Sequence, residues 1–124
     1  MSGWLALALA AAPAAGPAPA VAEEIVVIGE RLKEWRGKWR TRSGAATCAT
    51  TRSTGDREID ALGCAALVAC VTPLIPRMQA IAELKLSKPE RNRRMDAAAQ
   101  DIGPCLAERR GDAIAALAAR RAGG

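Results

Sequence analysis

The chain has no histidine and no tyrosine. Imidazole metal sites and Ser-His or Cys-His nucleophile pairs are therefore excluded. Acid–base chemistry would fall to carboxylates or lysines. The closest carboxylate group, Asp56, Glu58 and Asp60, stands at the head of an expected helix, where capping and the helix dipole account for it. Tightly spaced cysteine pairs are missing too. The nearest pair, Cys64 and Cys70, is separated by five residues, which fits neither a C-x-x-C redox site nor a four-cysteine zinc site. There is no internal repeat. The sequence therefore leads us to expect no enzyme, no cofactor, no metal and no nucleic-acid partner.

Charge is absent from the first 22 residues, "MSGWLALALAAAPAAGPAPAVA", which contain no Lys, Arg, Asp or Glu. The apolar run Trp4–Ala12 falls short of the roughly 20 residues a membrane-spanning helix needs. Pro13, Pro17 and Pro19 prevent it from continuing as a helix. With the small residues Ala20-Val21-Ala22 behind it, the stretch reads as a secretory signal peptide cleaved after Ala22, although its n-region lacks a basic residue. The expected location is the periplasm. All eighteen basic and thirteen acidic residues lie beyond Ala22, so the formal net charge of +5 stays with the mature part. Such an excess favours anionic partners.

Four cysteines in a short exported chain read as two disulfides. Large side chains are few in so alanine-rich a body, so each bridge, worth about 2–4 kcal/mol, matters. Cys64 and Cys70 lie about 240° apart around one helix and cannot bridge each other. Two connectivities remain. Cys48–Cys64 with Cys70–Cys105 is favoured, because the first clips an expected hairpin to the next helix. Cys70 also lies on the Ile59, Leu62, Ala66 stripe, where a later helix would pack.

The expected architecture is mainly α: a short N-terminal β-hairpin element followed by about four packed helices, stapled by disulfides. Residues 34–124 form the domain and 23–33 an extended segment ahead of it. In "EWRGKWRTRSGAATCATTR", a strand puts Trp35, Gly37, Trp39 and Thr41 on one face and Arg36, Lys38, Arg40 and Arg42 on the other. Gly37 and the Ser43-Gly44 turn speak against a helix there, which gives a hairpin of about 34–42 with 45–52. A helix capped by Ser53 or Thr54 then runs to a stop at Pro73. Apolar on every side over Ala61–Val71 except for Gly63, it reads as buried and central, too short to span a membrane. A second helix covers about 77–86. "SKPE" makes a capping box, Ser87 with Glu90, that opens a third helix ending at Gly103-Pro104. The last runs from Cys105 to Arg121, with Gly111 as a candidate interruption.

"EEIVVIGER" (residues 23–31) is β-branched and bounded by Gly29, which favours extended structure. It resembles the TonB box of TonB-dependent outer-membrane receptors, in which a short run behind the signal peptide adds as a strand to TonB. Glu24, Ile25, Val26 and Val27 match that box; Ile28 replaces its usual Thr. The chain is far too short for a receptor barrel, so the resemblance implies only capture of Glu24–Ile28 by an open sheet edge. The alternative is internal pairing with the hairpin. The mature chain is also similar to small exported Gram-negative proteins of unknown role, which implies a periplasmic address and no activity.

Two readings result. The first is a non-enzymatic periplasmic interaction or structural module. The second is a secreted binder of anionic envelope material, lipopolysaccharide or another polyanion, through Arg36, Lys38, Arg40 and Arg42.

Overall fold

The structure is a computed structural model describing Gly3 and residues 18–123. The expected leader, 1–22, lies outside the described residues apart from Gly3 and positions 18–22. The chain is mainly helical around one two-stranded antiparallel hairpin, with α1 Pro19–Leu32, β1 Arg36–Arg42, β2 Ala45–Arg52 and α2 Arg57–Val71. A 3-10 turn, Thr72–Leu74, leads to α3 Ile75–Glu83, α4 Lys88–Ala99 and α5 Ile102–Gly123.

The first correction concerns the N-terminal segment. Residues 23–32 are helical, neither extended nor paired with the hairpin, and the hairpin is not the first element. Packing is the cause. Val21, Ile25, Ile28 and Leu32 fall on one helical face; Ile28 and Leu32 are buried, and Val21 and Ile25 pack against the same core. An extended run would put Ile25 and Ile28 on opposite sides. The β-branched preference is overruled by burial against α5.

The hairpin forms as its alternation demands. Trp39 pairs with Cys48 and Arg40 with Thr47, and the register shifts between Arg36 and Gly37. Ser43 and Gly44 both take positive φ (52° and 77°), the geometry two-residue hairpin turns require. Trp35 precedes β1 and is held by its N–H to Leu32 O at 3.1 Å.

The helix boundaries bring further corrections. Asp56, not Ser53 or Thr54, caps α2, accepting from the N–H groups of Glu58 at 3.0 Å and Ile59 at 3.2 Å. Ser53 and Thr54 are occupied instead by the Asp60 carboxylate. α2 ends at Val71, two residues before Pro73, as the sequence leads us to expect. The correction is that the 3-10 turn Thr72–Leu74 carries the helical path straight on into α3, because a proline in the first turn of a segment forfeits no hydrogen bond. The continuous stretch Arg57–Glu83 is therefore long and apolar enough to cross a membrane by length and composition, with 44% of its apolar window buried within the fold. α2 is also not buried on every side, since Ala61 and Ala65 are exposed. Ser87 caps α4, its hydroxyl accepting from Glu90 N–H at 3.4 Å. Glu90 does not reach back to complete the box; its carboxylate binds Arg93 and Arg94. Gly103 and Pro104 lie in the first turn of α5 rather than at the end of α4, and Gly111 leaves α5 uninterrupted.

Ile28, Leu32, Trp35, Ile59, Leu62, Leu67, Val71, Ile75, Leu117 and Ala118 make the core. It lies where α1, α2 and α5 meet under the hairpin. Two disulfides close on α2: Cys48–Cys64 from β2 and Cys70–Cys105 from α5. This is the connectivity favoured on sequence grounds.

Candidate functional site

The hairpin presents two unlike faces. On the outer one, Lys38, Arg40 and Arg42 alternate along β1, and all three are exposed, as is Arg36. Their partners across the ladder are Ala49, Thr47 and Ala45, side chains too short to cover them. Lys38, Arg40, Thr47, Cys48 and Ala49 line a shallow depression of about 350 Å³. Residues 36–52 include no Asp or Glu. Among the described residues, none of these four cations has an ion-pair partner, whereas Lys33, Arg93, Arg94, Arg120 and Arg121 do. The structure thus brings Arg36, Lys38, Arg40 and Arg42 together as one uncompensated strip. Arg36 is further fixed through one nitrogen: Nη1 donates to the carbonyls of both Lys33 and Trp35, each at 2.8 Å, just beyond the C-terminal end of α1.

The tryptophans lie on the other side. Trp39 is half-buried and lines an apolar groove of about 260 Å³ with Ile75, Met78 and Met95. Trp35 is 3% exposed, and its Nε1–H donates to Thr50 Oγ1 at 3.0 Å. Stacking and charge therefore act on opposite faces of the sheet. Beneath the Trp35 ring lie Gly37 of β1 and Gly63 of α2, whose missing side chains make room for it. Over it stands the Arg110 guanidinium, 5.8 Å from the ring centroid. Arg110 was not singled out from the sequence, because no periodic pattern connects a residue of α5 to an indole at the end of α1.

Residues Glu24–Ile28, the segment expected to be captured as a strand, present no free main-chain edge, because their N–H and C=O groups belong to α1. Val26 and Val27 are its exposed apolar side chains, at 63% and 48%. The small-residue furrow between α2 and α5, lined by Ala61, Ala65, Ala113 and Ala116, is ringed by Glu58, Arg109, Asp112 and Arg120. Its charges are mixed and favour neither sign of ligand.

The carboxylate cluster does structural work. Arg121 Nη2 donates to Asp56 Oδ1 at 2.9 Å and Oδ2 at 2.8 Å, and to Glu58 Oε1 at 3.3 Å. Burial pulls the Asp56 carboxyl up, but Arg121 and the backbone N–H groups of Ile59 and Glu58 together hold it below its ordinary value. Asp60 is lowered by hydrogen bonds from the Ser53 hydroxyl and from Thr54. Carboxylates held ionised in this way are poor proton donors near neutral pH. Among the described residues, no group of three or more His, Cys, Asp or Glu is placed to hold a metal ion. Compared with protein-family models, curated proteins and solved structures, the chain matches none of them.

Proposed function

We propose that this chain is a non-enzymatic, disulfide-stapled binding module of the periplasm that holds anionic envelope material, lipopolysaccharide or another polyanion, on the outer face of its hairpin. The observation that carries this reading is the strip Arg36, Lys38, Arg40 and Arg42, exposed and without a carboxylate partner among the described residues. A row of like charges repels itself and gains most from a ligand that brings several negative charges at once and releases their counterions. Alanine and threonine across the ladder leave the strip open from above. Two disulfides favour an oxidising compartment. Strand addition by residues 23–31 has no comparable support, since the segment is helical.

The test is retention on immobilised heparin and on lipopolysaccharide, across a salt gradient. The parent protein is expected to elute at a defined salt concentration. A variant with Arg36, Lys38, Arg40 and Arg42 all replaced by Ser is expected to pass through near the void. Equal retention of the two proteins would overturn the reading.

A further inference from the structure

The sheet has only two strands, so β1 keeps one edge with no neighbouring strand. Which main-chain groups lie there follows from the turn. The two-residue turn Ser43-Gly44 closes on Arg42 and Ala45 as a hydrogen-bonded pair, and bonded and non-bonded pairs alternate from there. Lys38, Arg40 and Arg42 thus bond inward to β2, while Gly37, Trp39 and Thr41 turn N–H and C=O to the edge. Among the described residues, no main-chain hydrogen bond from another element reaches those three. An open edge of this kind is a template for one more strand. Its two faces differ. On one side Lys38, Arg40 and Arg42 are exposed; on the other Trp39 and Thr41 wall the apolar groove of about 260 Å³. The facing wall is a helical stripe of α3, Ile75, Met78, Gln79 and Ala82, joined by Met95 of α4. Methionine side chains adapt to what they cover. The groove is smaller than the roughly 300–1,000 Å³ of a pocket for a drug-sized ligand, and suits single apolar side chains.

Successive side chains of an extended chain point to opposite faces. A strand laid on this edge meets the cations with every second residue and the groove with those between. Another copy's β1 is a poor fit, because like charges would stand opposite each other. The first 22 residues cannot supply the strand, since they contain no acid. We propose that the free edge of β1 takes up, as a third strand, an extended segment of a partner protein in which acidic and apolar residues alternate. Its acids lie over Lys38, Arg40 and Arg42, and its apolar side chains enter the groove beside Trp39. The inference goes beyond the polyanion reading, in which the strip acts alone: here main chain and groove decide which anionic chain is accepted.

The test is binding of an acetylated, amidated peptide of alternating Glu and Val, as long as β1 (7 residues), to the full chain. The amide resonances of Trp39 and Thr41 and their hydrogen exchange are followed. The control peptide has the same residues in two blocks, all Glu before all Val, so composition and charge are unchanged. The alternating peptide is expected to bind about ten-fold or more tightly than the block peptide and to slow exchange of the Trp39 and Thr41 amides. Two further peptides carry N-methyl groups, one on its Val amides and the other on its Glu amides. One should lose binding and the other keep it, since only one set of amides faces β1. T41P removes an outward N–H that has no bond to β2. It should abolish peptide binding and leave heparin retention as it is; the methylated peptides decide the matter should T41P fail to fold. If the alternating and block peptides bind equally, or the two methylated peptides behave alike, the edge inference is overturned. Heparin retention that still depends on the strip would then leave the polyanion reading standing. If alternation governs peptide binding but heparin retention ignores the strip, the polyanion reading falls and the edge stands.

Discussion

The indole of Trp35 occupies the space a side chain on Gly63 would need: a Cβ there would lie 2.6 Å from Trp35 Cδ2 and 2.7 Å from Cε2. The rigid ring is 3% exposed and tied through its Nε1–H to Thr50 Oγ1. G63A is therefore expected to destabilise the protein by about 1–3 kcal/mol. Gly111 is the contrast, mid-helix in α5 with nothing within 4 Å of an added Cβ. G111A is expected to stabilise by about 0.5–1 kcal/mol, because alanine gives up less backbone freedom. Urea unfolding with the disulfides intact measures both. A G63A protein as stable as its parent would mean that Trp35 does not pack as described.

The helical state of the N-terminal segment separates neighbouring apolar residues. Ile28 is 0% exposed and Val27 is 48% exposed. I28A should cost about 2–4 kcal/mol, and V27A no more than about 0.5 kcal/mol. A proline at Val26, mid-helix in α1, should cost about 3 kcal/mol through its lost N–H and its clash with the preceding turn. Thermal unfolding of the three variants checks this. Equal effects of I28A and V27A, with V26P tolerated, would return the segment to an extended state.

Removing either bridge should cost on the order of 2–4 kcal/mol. Cys48–Cys64 spans 16 positions and Cys70–Cys105 spans 35. In the chain-entropy account, C70S/C105S should be the more destabilised pair variant, by about 0.7 kcal/mol. Denaturant midpoints of the two double variants read the difference. The reverse order would show that anchoring the hairpin outweighs closing the longer loop.

Acid should weaken the fold in a defined direction. Asp56, Asp60 and Glu90 all sit below their ordinary carboxylate values; the Arg93 and Arg94 guanidinium groups lower Glu90. A carboxyl depressed in the folded state contributes its full stabilisation above its unfolded pKa. That contribution is lost as pH falls through the folded value, so stability should decline from about pH 5 downward. D56A removes both the α2 cap and the Arg121 pair and should cost about 1–2 kcal/mol at neutral pH. D56N keeps a capping oxygen, should cost less, and should flatten part of the acid slope. Midpoints across the pH range decide it; an unchanged slope in D56N would take Asp56 out of the account.

What was legible in the sequence and what was not divides by range. The hairpin could be read because alternation and a Ser-Gly turn are local signals, and the cysteine pairing because Cys64 and Cys70 share a helix yet face different ways. The exposed strip at Arg36–Arg42 was visible for the same reason. α1 was misread because β-branched composition spoke louder than the wider spacing of Val21, Ile25, Ile28 and Leu32, whose meaning depends on α5 lying against them. The end of α2 near Pro73 was legible, but the 3-10 turn that leads straight into α3 was not, since a proline looks the same whether a loop or another helical turn follows it. The Asp56–Arg121 pair and the Arg110–Trp35 contact join distant parts of the chain, and one sequence carries no trace of such meetings.

Both sulfur links end on α2, and the segment from Cys70 to Cys105 is a closed ring that holds α3, α4 and the exposed turn at Leu84–Ser87. A tryptic scission after Lys85 would therefore release no fragment. The nicked molecule should gain only the mass of one water and come apart into two peptides when a thiol is added.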